Sequence, residues 1–163
     1  MVLYKGTVRV DNHLMKLMEQ DGYDEFDWWT DQPSTLLRFG QGVIVILTGV
    51  AYGPVAVEIH VLTSSPPLEL DRWEDVAEGD LTTEAGELMV SGMDSINTIP
   101  GGNAGVTPKG PAHHRVRVHA NGRDIMFDEG IFDDDPPVEN YLIQIWPATG
   151  TGSRIALKDS TGR

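Results

Sequence analysis

The residues best placed to do chemistry lie in the stretch 111–120, PAHHRVRVHA. Its strict alternation reads as a strand that puts His113, Arg115, Arg117 and His119 on one face and His114, Val116 and Val118 on the other. Successive side chains on one face of a strand are about 6.6 to 6.8 Å apart, so the four polar groups form a basic stripe, which His60 and Glu58 would extend if their strand is a neighbour. Arg115, Arg117, His119 and His60 are therefore candidates to hold a small anionic ligand or to act as acids and bases near neutral pH. The competing reading is structural: in a chain this acidic, two arginines on an outward face pair with nearby carboxylates.

Other chemistries fit less well. His113 and His119 share a face but are too far apart to chelate one zinc ion directly, and His114 points the other way. Without a cysteine the chain has no disulfide, no thiolate metal site and no cysteine nucleophile. Ser64 and Ser65 sit in TSSPP, a strand exit rather than a G-x-S-x-G elbow. The glycine-rich NTIPGGNAGV lacks the phosphate-loop pattern, because Lys109 is followed by glycine. The acidic FDEGIFDDDPP offers oxygen ligands that could bind calcium at the end of a sandwich, yet it does not follow the EF-hand spacing. The residues call for no metal and no cofactor, and the chain is expected not to be an enzyme.

A second group of residues points to binding. The segment QDGYDEFDWWTDQPS carries Tyr23, Phe26, Trp28 and Trp29 among Asp24, Glu25 and Asp27, an unusually aromatic composition for a loop. Those rings either plug one end of the core or form a contact patch ringed by acids, since aromatics anchor protein interfaces. The loop 121–140 is more acidic still, with Asp133, Asp134 and Asp135 consecutive. Asp24, Glu25, Asp27, Trp28, Trp29 and Asp133 to Asp135 are the partner-binding candidates. A formal charge of −13, from 25 acids against 12 Lys and Arg, argues against nucleic acid as a direct ligand and permits a basic protein partner.

The elements that must position these residues read as strands. Residues 43–47 (VIVIL) are a near-continuous β-branched run, and 55–62 alternate, with Val55, Val57, Ile59 and Val61 on one side. The short connection between them, bearing glycine and proline, predicts a core hairpin over 42–62. Further strands are expected at 3–10, 35–39, 86–91, 111–120 and 138–148. The segments 13–20 and 71–81 fit either a short amphipathic helix or a strand, edge-like in the second case. Seven to nine short strands without intervening long helices predict an all-β, antiparallel β-sandwich with at most one or two short helices. One domain is expected over 1–148, followed by a polar tail over 149–163 that forms a short last strand or frays. No 18-residue apolar run occurs and the first residues lack a signal-peptide core, so the expectation is a cytoplasmic protein that does not engage membranes.

The early strand leading to the acidic loop with Trp28 and Trp29, the central apolar strands, and the late strand YLIQIWP (141–147) together resemble the competence protein J (ComJ) type of small nuclease inhibitors. The resemblance covers about two thirds of the chain in outline. It leaves the loops at 99–110 and 124–139 and the tail without counterparts. It implies a β-sandwich with a binding role, no catalytic residues, and a basic protein such as a nuclease as partner. The alternatives are a structural or assembly subunit, a homo-oligomer held by Trp28, Trp29 and the glycine-rich loop, and a small-ligand binding protein or enzyme using the His/Arg strand.

Overall fold

The structure is a computed structural model and describes residues 1–19, 34–92, 98–101 and 104–161. Among these residues are ten strands and no helix, against the seven to nine strands expected: β1 (Val2–Val10), β2 (Leu14–Met18), β3 (Leu37–Gly40), β4 (Val43–Leu47), β5 (Gly53–Val61), β6 (Asp75–Thr83), β7 (Met89–Ser91), β8 (Ala112–Asn121), β9 (Asn140–Pro147) and β10 (Ile155–Asp159). They form a six-stranded sheet in the order β1-β5-β9-β8-β6-β10 and a four-stranded sheet in the order β3-β4-β2-β7. All neighbours are antiparallel except β5 and β9, which run parallel. One apolar core joins the two sheets. Val55, Val57 and Ile59 of β5, Val116 and Val118 of β8, and Tyr141, Ile143 and Ile145 of β9 pack in one cluster with Met15 and Leu17 of β2, Phe39 of β3, and Ile44 and Ile46 of β4. The arrangement is a β-sandwich.

The expected hairpin over 42–62 does not form. Strand β4 pairs with β2 and β3 in the small sheet, whereas β5 pairs with β1 and β9 in the large one. A continuous apolar run reports burial on both faces but not which strand lies beside it. The connection between β4 and β5 crosses from one sheet to the other because it is pinned there. Gly49 and Val50 donate their amides to the buried Glu139 carboxylate at 2.9 and 2.6 Å, and Ala51 donates to the Glu129 carbonyl at 2.8 Å.

Both ambiguous segments are strands. β1 passes into β2 through a tight turn at Asn12 and His13, whose φ angles are 52° and 65°, with the Leu14 amide returning to the Asp11 carbonyl at 3.2 Å. Asparagine tolerates the left-handed conformation such a turn needs. Strand β2 is covered on both faces, which is why its apolar residues mimic helical spacing. β6 lies inside the large sheet, between β8 and β10, and is not the edge strand that its charges suggested. Glu78 and Asp80 are spent on arginines of β8 instead.

Candidate interaction site

The acidic chain between β8 and β9 is held at its ends and middle by buried polar groups. At the β8 end, the Arg123 guanidinium is 2% exposed. It reaches Asp75 at 3.0 Å and the Thr35 carbonyl at 3.0 Å. The Asp75 carboxylate in turn accepts from the Thr161 hydroxyl at 2.8 Å. At the β9 end, Glu139 is fully buried and accepts from the Tyr141 hydroxyl as well as from Gly49 and Val50. Burial, reinforced by the Glu139 charge, pushes the Tyr141 phenol well above its ordinary range. Between the ends, Asp128 donates its amide to the Gly49 carbonyl at 2.8 Å and Ile131 donates to the Tyr52 carbonyl at 3.0 Å, while the Ile131 side chain enters the core. A loop tied this way presents its outward side chains in a fixed arrangement.

Those side chains alternate acids with exposed apolar groups. Phe132 is 81% exposed, Ile125 66% and Phe127 41%, and Tyr52 on the adjoining connection is 51% exposed. Tyr52 and Gly130 form a bridge so close that a Cβ on Gly130 would lie 2.0 Å from the Tyr52 ring. Asp124, Asp128, Glu129, Asp133, Asp134 and Asp135 of the same loop are exposed as well. Phe127 lies against the His13 ring at 5.7 Å, and His13 Nε2 is 2.8 Å from Asp128, so the tight turn between β1 and β2 braces the loop. Arg9 approaches Asp133 at 3.1 Å. Exposed aromatic and aliphatic side chains beside charged ones are a composition also found at protein contacts. Reading the sequence singled out the acids of this loop and passed over Ile125, Phe127, Phe132 and Tyr52. The available signal was the spacing of bulky apolar residues through a segment too acidic to be core.

The sequence-derived candidates separate into three sets. Asp24, Glu25, Asp27, Trp28 and Trp29 lie outside the described residues. Asp133, Asp134 and Asp135 stand on the surface just described. The four ligand-binding candidates Arg115, Arg117, His119 and His60 do share the outer face of the large sheet, but each is engaged there. Arg115 pairs with Glu78 at 3.1 Å and Asp80 at 3.0 Å. Arg117 pairs with Glu78 at 2.7 Å, donates to the Pro66 and Pro67 carbonyls at 3.3 Å and lies 5.0 Å from the Trp146 ring centroid.

His119 is 1% exposed, donates from Nδ1 to the Leu142 carbonyl at 3.1 Å and packs against Trp73. Burial lowers its pKa to about 4, so it is neutral at pH 7. His60 is 2.7 Å from Glu58, and that hydrogen bond is the main reason the Glu58 carboxyl titrates below its usual range.

The Arg117 donors on Pro66 and Pro67 and the packing of Trp73 on His119 hold the segment 62–74 as a strap over the sheet. The strap is fastened further by the Asn121 amide on the Arg72 carbonyl at 2.8 Å and by Lys158 Nζ on the Leu70 carbonyl at 2.9 Å. A groove of about 730 Å³ remains between strap and sheet. His60 lines it, but Arg115, Arg117 and His119 do not. Among the described residues no three His, Asp or Glu side chains gather as a metal site.

Two packed sheets define this protein as an all-β sandwich. The same fold occurs in ComJ from Bacillus subtilis, the inhibitor of the DNA degrading activity of NucA. That structure superposes with a TM-score of 0.57 at 10% identity, covering 89% of this chain and 96% of ComJ. It also occurs in the protein of Crocagin biosynthetic gene J, with a TM-score of 0.53 at 13% identity over 90% of this chain and 99% of that one. No protein-family model matches the chain, and no curated protein matches it significantly. The competence protein J resemblance read from the sequence therefore holds as a distant structural one. Among the described residues no helix is long and apolar enough to cross a membrane.

Proposed function

We propose that the chain is a noncatalytic, cytoplasmic binding protein, acting as a single domain. Its partner is a basic protein of the nuclease type, inhibited by occupation of its nucleic-acid groove. The observation that carries this reading is the braced loop 121–140, which exposes Ile125, Phe127 and Phe132 together with six acids, next to the exposed Tyr52 of the adjoining connection. The carboxylates would lie where phosphates lie on a nuclease, steering encounter and setting orientation, while the apolar side chains supply contact energy that salt does not screen. A net charge of −13 and the fold shared with a nuclease inhibitor support it. The closed ion pairs of Arg115 and Arg117 count against a small-ligand or catalytic role for the His/Arg strand. In the test, immobilised protein is loaded with lysate of its own source and the fraction released by high salt is assayed for DNA degradation. The expected result is a DNA-degrading basic protein whose activity falls again when the chain is added back. A released fraction with no such activity, or activity indifferent to the chain, refutes the proposal.

A further inference from the structure

Strand β1 borders the large sheet, and among the described residues no strand pairs with its outer side. The direction of its free backbone groups follows from β5. Ala56 and Leu62 donate their amides toward β9, to Glu139 and Ile145, so the alternate residues Val55, Val57, Ile59 and Val61 turn toward β1. Their partners are Val8, Gly6, Tyr4 and Val2. Leu3, Lys5 and Thr7 therefore direct their N–H and C=O groups outward, as the geometry of an antiparallel ladder requires. The stretch 2–7 is open, with Val2 and Leu3 52% and 44% exposed and Lys5, Gly6 and Thr7 exposed as well. At Arg9 the edge closes, because a Cβ on Gly92 would lie 1.8 Å from the Arg9 carbonyl oxygen.

Long edges are ordinarily blunted by prolines, bulges or charges. β1 contains no proline and pairs with β5 without a register shift over its nine residues. The single charge within 2–7, Lys5, is 3.6 Å from Glu58 of the neighbouring strand. Beside the same edge is a hollow of about 520 Å³ lined by Tyr4, Gly6, Thr7, Ile99 and Pro100.

We propose that β1 pairs antiparallel with β1 of a second copy of this chain, about a two-fold axis at Lys5, joining the two large sheets edge to edge. Outward groups must meet outward groups, which places Lys5 opposite Lys5 of the other copy, Leu3 opposite Thr7, and Tyr4 opposite Gly6. In that register Tyr4 of each copy, packed against its own core, borders Gly6 of the other copy, over which Ile99 already lies. The two Lys5 ammonium groups at the axis alternate with the two Glu58 carboxylates, so the centre of the pairing is charge-balanced. A second copy is thus the occupant that supplies both the ladder groups and the matching charges. The remaining charge of each copy is strongly negative, so added salt strengthens this pairing. It weakens a complex made through the acidic loop, and the two associations respond to salt in opposite directions.

Sedimentation of the full chain over a wide concentration range, at low and high salt, tests the pairing. The expected result is a mass rising from 17.9 kDa toward twice that value, at lower concentration when salt is high. Lys5→Pro removes an outward amide without removing a bond to β5 and is expected to raise the dimer dissociation constant at least about tenfold. Leu3→Lys adds a charge to the open edge, leaves the β5 ladder intact, and is expected to do the same, which decides the matter if the proline variant does not fold. A wild-type mass of 17.9 kDa under all conditions overturns the proposal, as does a Leu3→Lys variant that dimerises like the wild type.

Discussion

Lowering the pH from 7 to 5 is expected to weaken the fold chiefly through His119. Its imidazole is sealed beneath the strap, 1% exposed, with Nδ1 donating to the Leu142 carbonyl and Trp73 packed against the ring. Burial is the main cause of a folded pKa of about 4, and the Leu142 hydrogen bond only partly opposes it. In the unfolded chain the same group titrates near 6.5. Below 6.5 the unfolded state takes up a proton that the folded state refuses until about pH 4, so this contribution is complete above 6.5 and is lost progressively down to 4. Between pH 7 and pH 5 the difference amounts to about 2 kcal/mol. His114, whose pKa is lowered by burial and then by His113, adds to the same trend. A subtraction isolates His119: urea unfolding of wild type and His119→Asn at both pH values, the asparagine amide nitrogen standing where Nδ1 stood. The variant is expected to lose about 2 kcal/mol less than the wild type over this interval. An identical loss in both proteins would refute the assignment of a neutral, buried His119.

Glu139→Gln turns one of the two carboxylate oxygens that accept from the Gly49 and Val50 amides into an NH2 donor facing an N–H. It is expected to cost about 3 kcal/mol in chemical unfolding and to speed hydrogen exchange in the acidic loop. Gly49→Ala would place a methyl 1.9 Å from the Arg123 carbonyl oxygen. The backbone must shift to relieve that contact, with an expected loss of more than about 2 kcal/mol by thermal unfolding. Arg117→Met removes the donors on the Pro66 and Pro67 carbonyls while Arg115 still neutralises Glu78. The strap is expected to be cut faster by a protease, with little change in the unfolding midpoint.

The strands that could be read in the sequence were those exposed to different surroundings on their two faces. β8 and β9 alternate because one face enters the core while the other meets the strap, and the inward sets Val116 and Val118, and Tyr141, Ile143 and Ile145, are those expected. β4 is buried along most of its length and carries no alternation, so its neighbours were illegible and a local hairpin was inferred where the chain changes sheet. β2 and β6 were ambiguous for a related reason: β2 is covered on both faces, and the outward charges of β6 are absorbed by arginines of β8. The ionic pairing of Arg115 and Arg117 could be anticipated from composition. That His119 is sealed could not, because the strap covering it comes from residues 62–74, far away in sequence and without regular structure. In the acidic loop the density of Asp and Glu drew attention from Ile125, Phe127 and Phe132, whose exposure follows from how Arg123 and Glu139 fix the backbone.

The most direct test of the acidic loop as the partner-binding surface compares the wild type, Phe132→Ala and the combined Asp133→Asn, Asp134→Asn, Asp135→Asn variant. Each is titrated against the DNA-degrading protein that the wild type retains, at several salt concentrations. All four side chains are exposed, so the variants are expected to fold as the wild type does. Phe132→Ala is expected to weaken binding by about 2 kcal/mol, roughly thirtyfold, with an unchanged salt slope. The triple variant is expected to weaken binding and flatten the slope. Wild-type affinity and wild-type salt response in both variants would contradict the assignment of this loop as the binding surface.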